Sequence, residues 1–304
     1  MGNYIKIGFL VIALALIALT SYFWYQSRDP TILPKAPSNL TAKSLSAIQI
    51  KITWKDNSNN ELGFRVYRDR VLIADLKENA TKFEDVNLRP ATNYEYKIEA
   101  YNLVGKSDFV AGFIKTLNPP ITIWIDKIGV HENGEEGELL RELGRGEVYA
   151  GLIVKDNKTT VQKNLPKKGH YSLNRDEAIL VGEKVFETKE VGENIRMVVI
   201  SYEDDGGFGE QVIYKALDMA AKSYIGGPTS ILFSLAGIDF TQIFADIFGA
   251  ADDWLGTYVA EWTIDNNWGV GNYNDVQCKK KDGNIGLRLW FRVECPVYDY
   301  ALNK

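Results

Sequence analysis

Cysteine and histidine are scarce in this chain, which has only two of each among 304 residues. The cysteines, Cys278 and Cys295, both lie near the C-terminal end, and no Cys/His cluster has the spacing of a zinc site. The sequence also lacks a phosphate-binding glycine loop, a dinucleotide-binding glycine pattern and a His-Glu-x-x-His motif. We therefore do not expect the chain to be an enzyme.

Basic residues are in short supply in the second part of the chain. Residues 1–118 carry 15 Lys/Arg and 11 Asp/Glu, a net charge of +4. Residues 119–304 carry 20 Lys/Arg and 29 Asp/Glu, a net charge of -9, so the whole chain has a net charge of -5. Nucleic acid is not an expected partner, because its phosphates require a basic surface. The acidic part is compatible with cation binding or simply with solubility.

One long uncharged apolar run is present, from Ile7 to Tyr25. At about 1.5 Å per residue, a helix of this length nearly matches the ~30 Å hydrocarbon core of a bilayer. The run ends in the aromatic cluster Tyr22–Tyr25, which is typical of a membrane–water interface. A cleaved signal peptide is the alternative, although small residues would then be expected there. We predict a transmembrane helix in residues 1–26, a linker at 27–33, and later domains outside the cytoplasm.

In residues 34–118, apolar and polar side chains alternate with a period of two residues. Ile48, Ile50, Ile52 and Trp54 alternate with polar residues, and "YEYKIEAYN" repeats this alternation. Such strands, with no helical segment between them, predict a β-sandwich.

The same region resembles a fibronectin type III domain over about residues 34 to 117. The resemblance rests on "APSNLTA", "ITWKDNSNNELGFRVYRD", "LRPATNYEYKIEAYNLVGKS" and "IKTL". Trp54 matches the core tryptophan of that family. Leu88, Pro90 and Tyr94 match the segment in which a tyrosine closes a corner by hydrogen bonding to nearby backbone. The resemblance implies a spacer or protein-binding module.

Residues 119–304 are expected to form a second, mostly antiparallel β-sandwich. "ITIWIDKIGV", "EVYAGLIVKD", "IRMVVISYED", "GTYVAEWTI" and "GLRLWFRVEC" each have the composition of a strand. Residues 209–250 differ, because "GEQVIYKALDMAAKSY" and "DFTQIFADIFGA" have helical composition. We therefore predict a helical insertion within this domain.

Two acidic stretches flank that insertion. With the insertion looped out, "MVVISYEDD" followed by "ADDWLGTYVAEW" resembles the third calcium loop of C2 domains, so the second domain is predicted to be C2-like. The resemblance implies a Ca²⁺ site, since calcium takes six to eight oxygen ligands. The candidate ligands are Asp126, Glu203, Asp204, Asp205, Asp252 and Asp253. The alternative is that these acids occupy ordinary solvated turns.

Three smaller features remain open. Cys278 and Cys295 would form a disulfide in an exported protein, or they are unlinked thiols. Trp268 and Tyr273 in "IDNNWGVGNY" would bind carbohydrate or protein, or Trp268 is a buried anchor for a loop. The sequons at Asn39, Asn79 and Asn157 leave glycosylation open.

The sequence as a whole predicts a membrane-anchored cell-surface protein for binding, adhesion or assembly. Its terminal module, stabilised by calcium, would bind a protein or glycan. The alternative is a surface hydrolase that uses the loop carboxylates, because glycoside hydrolysis needs only two suitably placed acids.

Overall fold

This computed structural model describes residues 31–131, 146–203, 254–279 and 285–299, together with Leu14, Leu16, Ile17 and Leu19. Those four N-terminal residues are helical, and the rest of the predicted anchor lies outside the described residues. Among the described residues, no helix is long and apolar enough to cross a membrane. The chain divides into two compact units, Met1–Leu117 and Asn118–Lys304.

The first unit is a sandwich of two antiparallel sheets, with strand orders β1-β2-β5 and β4-β3-β6-β7. Its strands are β1 (Ser38–Ser46), β2 (Gln49–Lys55), β3 (Gly63–Arg68), β4 (Val71–Lys77), β5 (Lys82–Val86), β6 (Asn93–Tyr101) and β7 (Lys106–Lys115).

Alternation along the strands builds the core of this sandwich. Ile50, Ile52 and Trp54 of β2 are buried and pack in one cluster with Tyr96 and Ile98 of β6. The predicted tyrosine corner is also present, since the backbone N–H of Arg89 donates to the hydroxyl of Tyr94 at 2.9 Å. The sequence prediction of a sandwich in this region is confirmed.

One buried carboxylate joins the two sheets of the first unit. Asp85 of β5 accepts hydrogen bonds from Arg68 of β3, at 3.0 Å to each oxygen, and from the hydroxyl of Tyr96 at 2.7 Å. Burial and this hydrogen bond raise the pKa of Tyr96, so its hydroxyl remains a donor. A buried charge with several partners is stable only while those partners stay in place.

Replacing Tyr96 with Phe should destabilise the first unit by about 1.5–3 kcal/mol, because a hydrogen bond to a buried charge is lost. Tyr101→Phe is the matched control, since the Tyr101 hydroxyl donates to Asp75 at an exposed position. That change should cost less than about 1 kcal/mol. Hydrogen exchange of the β2 and β6 amides measures both effects, and equal losses in the two variants would contradict the role of Asp85.

The second unit is a single nine-stranded antiparallel sheet with the order β10-β9-β13-β14-β15-β16-β8-β12, and β11 also pairs with β9. Its strands are β8 (Ile121–Val130), β9 (Gly146–Asp156), β10 (Thr160–Leu165), β11 (Tyr171–Leu173), β12 (Ala178–Thr188), β13 (Asn194–Glu203), β14 (Trp254–Thr263), β15 (Gly271–Lys279) and β16 (Ile285–Glu294). A 3₁₀ helix, Ile264–Gly269, connects β14 to β15.

This sheet curls so that its two halves face each other. The ladder between β14 and β15 is short, and among the described residues it consists of the pair Thr257 and Lys279. Across it, Tyr258 of β14 contacts Phe291 of β16 at 5.9 Å between ring centroids. At the sheet edges, Lys163 of β10 lies 3.9 Å from Glu183 of β12. The predicted antiparallel β architecture is therefore present, but as one curled sheet rather than two separate sheets.

Candidate functional site

The ends of β13 and β14 meet at the position where the predicted insertion begins and returns. The ladder between these strands runs from the pair Asn194 and Thr263 to the pair Tyr202 and Trp254. The described residues on either side of 204–253, Glu203 and Trp254, therefore lie at the same end of two adjacent strands. Four of the six candidate ligands, Asp204, Asp205, Asp252 and Asp253, lie outside the described residues, as does the predicted helical insertion at 209–250.

Glu203 is the last residue of β13, and its side chain is 1% exposed. Alternation places it on the same face of β13 as Ser201, whose hydroxyl donates to the carbonyl of Gly256 at 2.8 Å. One oxygen of Glu203 accepts the backbone N–H of Glu147 on β9 at 3.3 Å. The carboxylate of Glu203 is therefore hydrogen-bonded to the backbone of the neighbouring strand β9.

Asp126 lies within a strand rather than in an acidic loop, and its predicted role as a calcium ligand stays a prediction. The strand β8 continues to Val130, so Asp126 lies within it, at a break in the ladder to β16. Its carboxylate forms an ion pair with Arg292 of β16, which also pairs with Glu294 at 2.7 Å. Beyond the break, Ile128 and Val130 are buried, so the strand extends through the whole stretch that has the composition of a strand.

The described residues contain no group of three or more His, Cys, Asp or Glu side chains that could hold a metal ion. The calcium prediction therefore concerns the four acids that follow Glu203 and precede Trp254. It stays a prediction that solution measurements can decide.

If those four carboxylates share a calcium ion, the second unit should gain about 2.7 kcal/mol of stability at a calcium concentration near 100 times Kd. The double change Asp252→Asn and Asp253→Asn should remove that gain. Glu261→Gln, at an exposed position on the same strand β14, is the control. An identical melting temperature in calcium and in chelator would show that these acids occupy solvated turns.

A strip of tryptophans and cations lies on the outer face of β8 and β16, which the sequence analysis did not single out. The guanidinium of Arg292 lies 4.8 Å from the ring centroid of Trp124, and Lys127 lies 4.6 Å from that of Trp290. Arg288 lies 5.4 Å from the Trp290 ring and forms a two-point ion pair with Asp275. Cations already cover these rings, so the strip stabilises the sheet.

Trp268 is a buried anchor rather than a surface binding residue. Its side chain is 1% exposed, and its indole N–H donates to the carbonyl of Gly192 at 3.0 Å. The N–H of Gly192 in turn donates to the buried carboxylate of Asp156 at 3.1 Å. Three connections of the second unit, β9–β10, β12–β13 and β14–β15, therefore meet at Gly192. A Cβ on Gly192 would lie 1.6 Å from the side chain of Asn157. The alternative considered from the sequence, an anchored loop, is the one observed.

Tyr273 belongs to the same packing. Its ring stacks on Phe291 with 4.4 Å between centroids, and its hydroxyl donates to the carbonyl of Gly269 at 2.8 Å. These contacts give Tyr273 a structural role, and its predicted binding role stays a prediction.

Trp268→Phe should destabilise the second unit by about 1 kcal/mol more than Trp124→Phe. The two changes remove similar volume, but only Trp268 loses a hydrogen bond, since the indole nitrogen of Trp124 has no hydrogen-bond partner among the described residues. Urea denaturation of both variants measures the difference. Equal midpoints would show that the bond to Gly192 contributes nothing.

The predicted disulfide is wrong for this structure, in which both cysteines are free. Cys278 is opposite Leu287 in the β15–β16 ladder, whereas Cys295 follows the last residue of β16. Cys295 lies eight positions after Leu287, which is roughly 27 Å at the rise of an antiparallel strand. A disulfide requires Cα atoms within about 7 Å. Burial raises the pKa of the Cys278 thiol and keeps it unreactive.

Comparison with known proteins identifies the first unit. The model of the fibronectin type III family matches residues 35–111, and this stretch is a fibronectin type III domain. The chain is 37% identical over 82 residues to a gellan lyase from Bacillus sp., and 31% identical over 77 residues to an alpha-amylase from Niallia circulans. These matches cover 26% and 25% of this chain, but only 3% and 6% of the two enzymes.

Among solved structures, the chain is similar to the crystal structure of FN3tt, with 22% identity and a TM-score of 0.26. That match covers 28% of this chain and 96% of FN3tt. The resemblance of the second unit to C2 domains is not confirmed by these comparisons.

Proposed function

We propose that this chain is a membrane-anchored surface protein in which the fibronectin type III domain is a spacer. The second unit is the part that is displayed, and it binds a protein or a glycan. The observation that carries the proposal is the fibronectin type III domain itself, with its own sandwich core. Domains of this kind suit a spacer or binding role outside the cytoplasm.

The path of the chain through this domain supports the role of a spacer. Side-chain amides of Asn60 and Asn102 hold the carbonyl of Ile32 beside the β6–β7 turn. The strand β7 then runs away from that turn for 10 residues and ends at Lys115. The chain therefore enters the domain at one end and leaves it about 30 Å away, at the rise of a strand.

Anchorage is proposed from the uncharged run Ile7–Tyr25, which precedes this domain by a short linker. Full-length chain should sediment with membranes and resist carbonate, and detergent should release it. A variant that begins at residue 31 is the control and should stay in the soluble fraction. Recovery of a carbonate-soluble species that begins near Ser21 would show a cleaved signal peptide and contradict the proposal.

A surface hydrolase is the second candidate, because one relative is named as an alpha-amylase. The other is named as a gellan lyase, an enzyme that also acts on a polysaccharide but by elimination. Among the described acids suggested for such chemistry, Asp126 is held by Arg292 and Glu203 by the backbone of Glu147. Hydrolysis would then require the acidic residues between Glu203 and Trp254 as the catalytic groups. Turnover of a polysaccharide panel that includes gellan would favour the hydrolase, and binding without turnover would favour the display protein.

A further inference from the structure

Five apolar side chains are exposed together at one end of the fibronectin type III domain. Three segments contribute them: the linker before β1, the β2–β3 connection and the β6–β7 turn. Leu103, at the tip of the turn, is 89% exposed. Single exposed apolar residues are ordinary on protein surfaces, but adjacent ones from several segments indicate a contact surface. The set, here called the apolar end, comprises Ile32, Leu33, Leu62, Leu103 and Val104.

Hydrogen bonds hold these segments together. The side-chain amide of Asn102 donates to the carbonyl of Ile32 at 2.8 Å, and that of Asn60 donates to the same carbonyl at 3.2 Å. The side-chain oxygen of Asn102 also accepts the backbone N–H groups of Val104 and Gly105. A Cβ built on Gly105 would lie 2.8 Å from the side chain of Leu33. The apolar end is therefore a built surface and not a set of independent loop tips.

Its position along the chain indicates what it faces. Ile32 follows Tyr25, the last residue of the uncharged run, by seven positions. Even a fully extended chain covers at most about 25 Å over that distance. If the run is a membrane anchor, the apolar end is the part of this domain that is tied closest to the bilayer.

The charges beside this surface do not oppose such a contact. Asp56 accepts the backbone N–H of Ser58, and the buried Glu61 accepts that of Asn79. Lys35, in the linker next to the apolar end, is exposed, whereas Lys106 forms an ion pair with the buried Glu99 at 3.3 Å. A lysine at the rim, such as Lys35, would favour the headgroups of anionic lipids.

We propose that the apolar end rests on the lipid surface of the membrane that holds the anchor, with Leu103 and Val104 inserted at the headgroup–acyl boundary. This inference rests on the proposed anchorage. It adds that the domain has a fixed orientation on the bilayer, with the start of β7 near the lipid and Lys115 far from it. Burial of exposed apolar side chains is the driving force.

The test uses full-length protein in vesicles made of equal parts phosphatidylcholine and phosphatidylglycerol, with and without spin-labelled lipid as quencher. Leu103→Cys, in a Cys295→Ser background, carries an environment-sensitive fluorophore, and the buried Cys278 stays unlabelled. Asn93→Cys, at the opposite end of β6, is the matched control. We expect lipid to shift the emission of the Leu103 label to the blue and quench it several-fold more than that of the Asn93 label.

A second variant tests the insertion without risk to the fold, because both positions are exposed. With the fluorophore at Leu62→Cys, the double change Leu103→Asp and Val104→Asp should abolish quenching by lipid. Persistent quenching would overturn the proposal.

Vesicle flotation separates the two levels of inference. If the protein floats but the Leu103 and Asn93 labels are quenched equally, the apolar end does not face lipid and the anchorage stands. If shielding of Leu103 requires native membranes and is absent in lipid vesicles, a protein partner covers this surface and the proposal is wrong. If the protein does not float, the anchorage itself fails.

Discussion

Two side-chain amides hold the carbonyl oxygen of Ile32, and this contact fixes where the chain enters its first unit. Asn60 and Asn102 come from different connections of the sandwich, so one carbonyl ties the linker to both. The proposed spacer role and the proposed orientation of the apolar end both use this junction. The amide of Asn57 holds the linker a little further on, by donating to the carbonyl of Ala36 at 2.9 Å.

The second unit is held by a comparable junction at Gly192. Its carbonyl accepts the indole of Trp268, and its N–H donates to Asp156, so three connections of one curled sheet meet there. Glycine is required because the side chain of Asn157 occupies the space of a Cβ. Elsewhere in this sheet, cation–aromatic contacts join β8 and β16. These interactions give Trp268 and Arg292 structural roles within the second unit.

The sequence predicted the strands well wherever alternation was strong, as in Ile50, Ile52 and Trp54, because one buried face leaves a two-residue period. At Asp126 an irregularity interrupts the alternation, and the sequence does not show that this carboxylate pairs with Arg292 on the neighbouring strand. The disulfide expected from the sequence is also not formed. Cys278 and Cys295 are close in the sequence, but they lie at opposite ends of the β15–β16 hairpin. The apolar end could not be found either, because its five residues come from three segments that only the fold brings together.

We propose that both units are displayed outside the cytoplasm on a membrane anchor. Protease treatment of intact cells that produce the chain with a C-terminal epitope tag tests this arrangement. We expect protease to remove the tag from intact cells while a cytoplasmic marker is spared. A tag that is lost only after the cells are permeabilised would contradict it.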